Sequence, residues 1–168
     1  YTIGALKAGK HVLCEKPMAN TPQECEQMIA AAKAPSRKLM IGYRVRYEPF
    51  NQMMIKMAQD TTEMGPTRMI LADAGFSIGD PTQWRLKREF AGGGSLMDIG
   101  IYSLQAARYI TGEEPTEINA VSYTTPGDVR FKEVEETINF QLRFPSGVLA
   151  NCTSSYGYSG QNKYRVIA

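Results

Sequence analysis

Charge imbalance, cysteine and long apolar runs are all scarce in this sequence, and each scarcity excludes a class of protein. The 19 Lys and Arg residues nearly balance the 17 Asp and Glu residues, and a net charge of +2 is too small to indicate binding to nucleic acid or to an anionic membrane. Cys14, Cys25 and Cys152 are too few and too scattered for a disulfide framework or a zinc site. No uninterrupted apolar run is long enough to span a bilayer. We therefore expect no nucleic-acid partner, no membrane partner and no metal.

The remaining composition is that of an ordinary globular protein. A chain of 168 residues with 43% hydrophobic and 21% charged residues can form one sizeable core, or one domain and part of another. Residues 1–8 have the pattern of the end of a helix that stops at Gly9. An opening inside a helix, without an initiator methionine or a signal peptide, predicts a fragment and leaves the compartment undecided.

The first quarter of the chain has the pattern of a parallel βαβ unit. Residues 11–14 form a short apolar run after a helix stop, which predicts a buried strand. Thr21 as N-cap, proline at the next position and Glu24 form a capping box that opens a helix, and Pro35 is predicted to end it. Residues 39–43 are a second strand candidate, and short links between these elements favour parallel pairing.

Beyond residue 43, one helix precedes a series of strands, with a second helix among them. Proline at position 49 predicts a helix to about residue 60. Strict alternation over residues 137–144 places apolar side chains on one face, to pack against a helix layer or a partner subunit. The predicted strands are residues 66–76, 116–123, 133–144, 148–156 and 164–167.

A glycine-rich stretch at residues 91–94 is the most distinctive local feature. Three successive glycines stabilise neither helix nor strand, so they indicate a close approach of the backbone to another group. Ser95 is predicted as the N-cap of a helix over residues 96–110. Asp98 and Tyr102 then project from one helix face and together form a candidate proton-handling pair.

Glu15, Lys16 and Pro17 follow the first predicted strand. Two charges at the end of a buried strand are costly without partners, and in open α/β sheets this is the edge where ligands bind. Pro17 restricts the backbone of Lys16 and so helps to fix where its amine points.

Four segments together resemble the family of glucose–fructose oxidoreductase and inositol dehydrogenase (Gfo/Idh/MocA), most of all its glucose–fructose oxidoreductase branch. They are residues 8–17, Gly42-Tyr43-Arg44, the pair Trp84-Arg85, and the glycine stretch with Asp98 and Tyr102. The resemblance implies an α/β plus α+β chain. Residues 1–43 are expected to be part of a Rossmann domain without its Gly-rich turn. Residues 44–168 are expected to be an α+β substrate and oligomerisation domain with a largely antiparallel open sheet, incomplete at its C-terminus.

The resemblance also implies an activity, namely hydride transfer between NADP(H), or NAD(H), and a sugar or polyol. A tyrosine hydroxyl is a weak base near neutrality, and a nearby cation favours its phenolate. We therefore assign proton transfer to Tyr102 and the cation to Lys16, while Asp98 holds the sugar hydroxyl or orients Lys16. The expected cofactor-lining residues are Glu15, Lys16, Pro17, Arg44, Trp84, Arg85 and Tyr102.

Further expectations follow from the same resemblance. They are a homo-oligomer formed through the C-terminal sheet, a cytoplasmic or periplasmic location, and little activity from this chain alone. The alternatives are that Lys16 is a solvated lysine, that Asp98 only complements a helix dipole, and that Tyr102 is a core tyrosine with a satisfied hydroxyl. Tyr156 and Tyr158 are expected to lie in an interface or the core, and the single histidine, His11, is expected to be structural. The competing function is a non-catalytic relative that binds nucleotide or assembles through its sheet.

Overall fold

The computed structural model describes residues 1–34, 36–160 and 162–168. Its N-terminal part is a two-stranded parallel sheet with two helices, and its C-terminal part is a five-stranded sheet with helices packed against it. The N-terminal elements are α1 (Thr2–Lys7), β1 (Val12–Cys14), α2 (Pro22–Lys33) and β2 (Leu39–Ile41). This arrangement confirms a Rossmann-type piece followed by an α+β part.

The βαβ prediction is confirmed in its local details. The side chain of Thr21 accepts the Glu24 N–H, and the Glu24 carboxylate accepts the Thr21 N–H, so the capping box forms with Pro22 in the first turn. Strands β1 and β2 pair in parallel, with Val12 opposite Leu39. The predicted helix end at Pro35 lies outside the described residues.

Strand β1 is less buried in this chain, which holds only part of a Rossmann-type domain, than the sequence predicted. Leu13 is 71% exposed, and Met40, its partner in the register, is 45% exposed, so the two share an open face of the small sheet. The opposite face, which carries Val12 and Cys14, is partly buried. The crossover helix of a βαβ unit covers one face of its sheet, and the apolar run alone does not reveal that the second face is open.

The C-terminal sheet has the strand order β4-β5-β6-β3-β7. Within the described part of this sheet only the β3–β6 pair is parallel, and the other neighbouring pairs are antiparallel, which confirms the largely antiparallel prediction. The elements are α3 (Pro49–Gln59), α4 (Thr61–Met64), β3 (Met69–Gly75), α5 (Arg88–Ala91), α6 (Ile101–Thr111), β4 (Glu117–Tyr123), β5 (Thr137–Arg143), β6 (Leu149–Ser155) and β7 (Lys163–Ile167).

The main core lies between this sheet and the helices α3 and α6. Phe140 and Leu142 of β5 are buried there, while Asn139 and Gln141, which alternate with them, are exposed, so the predicted alternation faces a helix layer. Ala107 and Ile110 of α6 are fully buried against the same strands. Each such large apolar side chain contributes about 1.5–3 kcal/mol when removed from water. No helix of the described ranges is both long and apolar enough to cross a bilayer.

The strand predicted over residues 133–144 begins later, at Thr137. In the preceding segment the carboxylates of Glu133, Glu135 and Glu136 each accept backbone N–H groups from a different loop or turn. These donors are Arg88 for the first, Gly94 and Leu96 for the second, and Thr125 for the third. The segment therefore ties three loops to the sheet instead of extending β5.

Candidate active site

The glycine stretch is confirmed as a place of close backbone approach, and the approaching groups belong to the protein itself. Gly92 has a φ of +73°, and a Cβ there would lie 3.0 Å from the Cα of Asn20 in the N-terminal part. A Cβ on Gly94 would lie 2.0 Å from the backbone oxygen of Glu135. Only glycine fits at these positions without moving backbone, so the stretch brings segments distant in sequence into contact.

We expect Gly94→Ala to destabilise the protein, because the new methyl group meets the backbone carbonyl of Glu135, which is itself fixed by the N–H of Ser95. A loss of about 1–3 kcal/mol is typical of overpacking at a rigid site. Gly79→Ala is the matched control, since nothing lies within 4 Å of a Cβ placed there. Thermal unfolding of both variants checks this, and equal melting temperatures for the two would contradict the observed packing.

The predicted N-cap role of Ser95 is wrong. Ser95 has helical backbone angles of φ −59° and ψ −30°, and its side chain makes no capping bond. Its fully buried hydroxyl instead donates to the carbonyl of Ser154 at 3.2 Å. The helix begins as a π turn over Leu96–Gly100 and continues as α6 to Thr111, and Gly112 after it has the left-handed conformation typical of a helix stop.

The structure brings Lys16 and Asp98 together across 82 residues of sequence. The Lys16 ammonium donates to the carboxylate Oδ1 of Asp98 at 2.8 Å and to the backbone oxygen of Asp98 at 2.6 Å. The two side chains are 16% and 15% exposed, so this ion pair is largely removed from water. It joins the end of β1 to the π turn and makes both residues part of one cluster.

Two more side chains donate to the same carboxylate. Arg85 Nε and the Tyr156 hydroxyl each lie 3.0 Å from Asp98 Oδ2. Partial burial by itself raises the pKa of Asp98. The hydrogen bond and charge of Lys16, aided by Tyr156 and Arg85, outweigh burial and hold the pKa below its ordinary value. Asp98 is therefore an anion at neutral pH. Burial first, and then the Asp98 charge, raises the pKa of Tyr156, which remains a hydroxyl donor.

Tyr102 lies directly beside this ion pair. The Lys16 ammonium is 5.2 Å from the centroid of the Tyr102 ring, within the range of a cation–π contact. Tyr102 and Arg44 also line a cavity of about 460 Å³ between α3, α6 and the sheet. An ammonium, a carboxylate and a phenol thus meet where the sequence predicted a proton-handling pair, and of the three the phenol of Tyr102 lines the cavity.

The other predicted cofactor-lining residues are distributed around this cluster. The Trp84 ring is 51% exposed, and the Arg85 guanidinium lies 4.7 Å from its centroid, so Trp84 is not a core residue. Glu15 is exposed, whereas Pro17 is half-buried and follows a cis peptide bond. His11 accepts the Lys38 N–H through Nδ1, which agrees with the structural role expected for it.

Sequence reasoning missed Tyr156 as a member of the cluster. The prediction that Tyr156 belongs to a core or an interface is correct, because it is fully buried and packs edge-on against Phe76. Its contact with Asp98 was not foreseen. A buried tyrosine hydroxyl normally finds a hydrogen-bond partner, and its place just after β6 was the available signal. Glu135 was also missed, since nothing in its local sequence points to the glycine stretch.

The cluster and its position define a class of protein. A lysine at the carboxyl end of a Rossmann-type strand, held by an anionic Asp98 beside a tyrosine, is a site that can bind a hydroxyl group and move its proton. The described residues bring no three His, Cys, Asp or Glu side chains together as a metal site. The class that these features define is a proton-transfer site for hydroxyl groups, built at the junction of two sheets.

The comparisons with known proteins identify the family. The chain belongs to the GFO/IDH/MocA family, because residues 53–168 match its C-terminal domain and residues 1–43 match the oxidoreductase family's NAD-binding Rossmann fold. It is 34% identical over 163 residues to the D-xylose 1-dehydrogenase [NADP(+)] of Haloarcula marismortui, covering 92% of this chain and 44% of that protein. The expected family resemblance is thereby confirmed.

Solved structures give the same result. The crystal structure of aldose-aldose oxidoreductase from Caulobacter crescentus, complexed with glycerol, is 60% identical with a TM-score of 0.96 and covers 99% of this chain and 49% of that one. A levoglucosan dehydrogenase in complex with NADH and L-sorbose is 26% identical with a TM-score of 0.87, covering 99% of this chain and 48% of that one. The chain thus spans about half the length of the relatives that it matches.

Proposed function

We propose that the whole protein is an NADP(H)-dependent oxidoreductase that transfers hydride between the nicotinamide and a carbon bearing a hydroxyl group in a sugar or polyol. The observation that carries this proposal is the Lys16 ammonium, held by Asp98 over the ring of Tyr102. The relatives named above act on D-xylose, on aldoses and on levoglucosan according to their names. The small aldoses are therefore the first substrates to test.

Each residue of the cluster has a distinct role in this proposal. When bound, the nicotinamide cofactor supplies the hydride chemistry, and the protein supplies orientation and proton transfer. Lys16 donates a hydrogen bond to the reacting oxygen and stabilises negative charge on it, because its ammonium stays beside an anionic carboxylate. Tyr102 takes up the hydroxyl proton during oxidation and returns it during reduction. Asp98 is a positioning residue, since its carboxylate already holds Lys16, Arg85 and Tyr156.

We further propose which part of the chain belongs to each domain and which residues contact the cofactor. Residues 1–43 belong to the dinucleotide-binding domain and residues 44–168 to the substrate domain, with the cofactor between them. Around the cluster, Glu15 and Pro17 flank Lys16, and Arg44 lines the cavity next to Tyr102. Trp84 offers an exposed flat face beside Arg85. A guanidinium suits phosphate because of its planar fork of donors, so Arg44 is our candidate for a phosphate contact.

The direct test is turnover by the whole protein with a panel of aldoses and polyols, measured by nicotinamide absorbance with NADP and with NAD. We expect reduction of NADP with at least one small aldose and a lower kcat/KM with NAD. Tight NADPH binding with no turnover on any sugar would refute the proposal and favour the second candidate, a non-catalytic nucleotide-binding or assembly protein. The observation that keeps this second candidate open is the exposed face of the C-terminal sheet.

We also propose that the protein forms a homo-oligomer through that face. All seven residues of β4 are exposed, and Val121 and Tyr123 are large apolar side chains on that face, opposite Asn139 and Thr137 of β5. Apolar side chains clustered on an open strand indicate an interaction surface. The molar mass of the whole protein in solution, from sedimentation, tests this proposal, and a monomer would refute it.

A further inference from the structure

Glu135 accepts several hydrogen bonds from the start of the site helix, which consists of the π turn Leu96–Gly100 and α6. Its carboxylate accepts the N–H of Gly94 at 2.8 Å through Oε2 and the N–H of Leu96 at 3.0 Å through Oε1. Its backbone oxygen accepts the N–H of Ser95 at 3.4 Å. Three consecutive backbone N–H groups thus donate to one residue that lies about 40 positions further along the chain.

These contacts take the place of a local N-cap. The first N–H groups of a helix have no partner within it, and a carboxylate beside them satisfies them and complements the helix dipole. Ser95 does not do this, because its hydroxyl bonds Ser154 instead. The missing Cβ of Gly94 lets the Glu135 backbone come close enough for its side chain to reach both donors. Glu135 therefore fixes where the π turn over Leu96–Gly100 begins.

The position of that turn decides whether Lys16 is held. The Lys16 ammonium uses the backbone oxygen of Asp98 as well as its carboxylate, at 2.6 and 2.8 Å. Rotating the Asp98 side chain cannot restore the backbone contact once the turn has moved. Asp98 lies two residues after Leu96, whose N–H Glu135 holds, so a displacement at Glu135 is transmitted to Asp98 within half a helical turn.

We propose that Glu135 is a positioning residue for the Lys16–Asp98 pair. It acts through the backbone of the π turn and touches neither of the two residues that it positions. The kinetic part of this inference rests on the proposed function, and the structural part does not.

Glu135→Gln in the whole protein tests the proposal, because the variant keeps the side-chain shape. The amide oxygen accepts one of the two N–H groups, while the amide nitrogen faces the other donor and cannot accept it. We expect kcat to fall about 10- to 100-fold, as for a small misplacement of a reacting group, with the KM for NADP within about twofold. In a crystal structure of the variant we expect the Lys16–Asp98 separation to exceed about 3.5 Å, beyond hydrogen-bond range.

Glu133→Gln is the matched control. Glu133 also accepts a backbone N–H, that of Arg88 at 3.2 Å, and pairs with Lys87, yet it does not touch the site helix. We expect its kcat to equal that of the wild type. A kcat for Glu135→Gln within twofold of wild type, or an unchanged Lys16–Asp98 contact in its crystal structure, overturns the inference. A wild type that turns over no sugar overturns the proposed function instead, and the crystal structure alone then decides on Glu135.

Discussion

Replacing Lys16 with methionine is expected to lower kcat/KM of the whole protein for its sugar about 100- to 1,000-fold, the cost of removing one preorganised donor from a transition state. Methionine keeps the length and the apolar stem of lysine but removes the ammonium. Asp98 keeps Arg85 and the Tyr156 hydroxyl as donors, so its negative charge still has two hydrogen-bond partners. Steady-state turnover followed by nicotinamide absorbance measures the effect, and the melting temperature shows whether the variant is folded.

Lys10→Met is the control for this loss of a charge in the N-terminal part. Lys10 is exposed and lies just before β1, at the opposite end of the strand from Lys16. We expect its turnover to match that of the wild type. If Lys16→Met were as active as Lys10→Met, the lysine would be a surface charge and the reaction would depend on other groups.

Tyr102→Phe is expected to reduce kcat about 100- to 10,000-fold, the usual contribution of a general acid–base group. The substitution removes the hydroxyl and keeps the ring on which the Lys16 ammonium rests, so binding and folding are expected to change little. The loss should therefore appear in kcat and not in the KM for NADP. Single-turnover measurement of hydride transfer separates this chemical step from release of the product.

A second tyrosine gives the control for this substitution. Tyr47→Phe removes the same hydroxyl from an exposed residue in the short turn after Arg44, and we expect it to retain wild-type turnover. Full activity in Tyr102→Phe would assign the proton transfer to another group, with Lys16 as the remaining candidate at the edge of the cavity. Such a result would leave the family membership of the chain untouched.

The sequence predicted most of the elements because their signals are local. The capping box at Thr21, the proline that opens α3 and the alternation in β5 each depend on residues within one or two turns or one strand. The errors arise where residues distant in sequence determine the local structure. Ser95 has the right chemistry for a cap, but Glu135 occupies that role. The segment before Thr137 has a strand-like composition, but its carboxylates bind loops.

The sequence predicted three members of the cluster, but its geometry only in part. Lys16, Asp98 and Tyr102 were chosen from spacing and resemblance, and the structure places them together. Whether they carry the reaction remains a prediction. Their arrangement could not be predicted from the sequence, because the Lys16–Asp98 contact spans 82 positions and the Tyr156 hydroxyl belongs to a residue at the end of β6. No local pattern encodes contacts of that range in a single sequence.

The contact between Lys16 and Asp98 also links the N-terminal and C-terminal parts of the chain. The Lys16 ammonium, which follows β1, donates to the backbone of Asp98 in the turn before α6. Asn20 makes a second link by donating to the carbonyl of Glu89 at 2.9 Å. Moving the two sheets apart by a few ångströms breaks these bonds before any strand is disturbed. A molecule with its two parts separated would leave the Lys16 ammonium without its Asp98 partners, so the proposed site is complete only when the two parts are in contact.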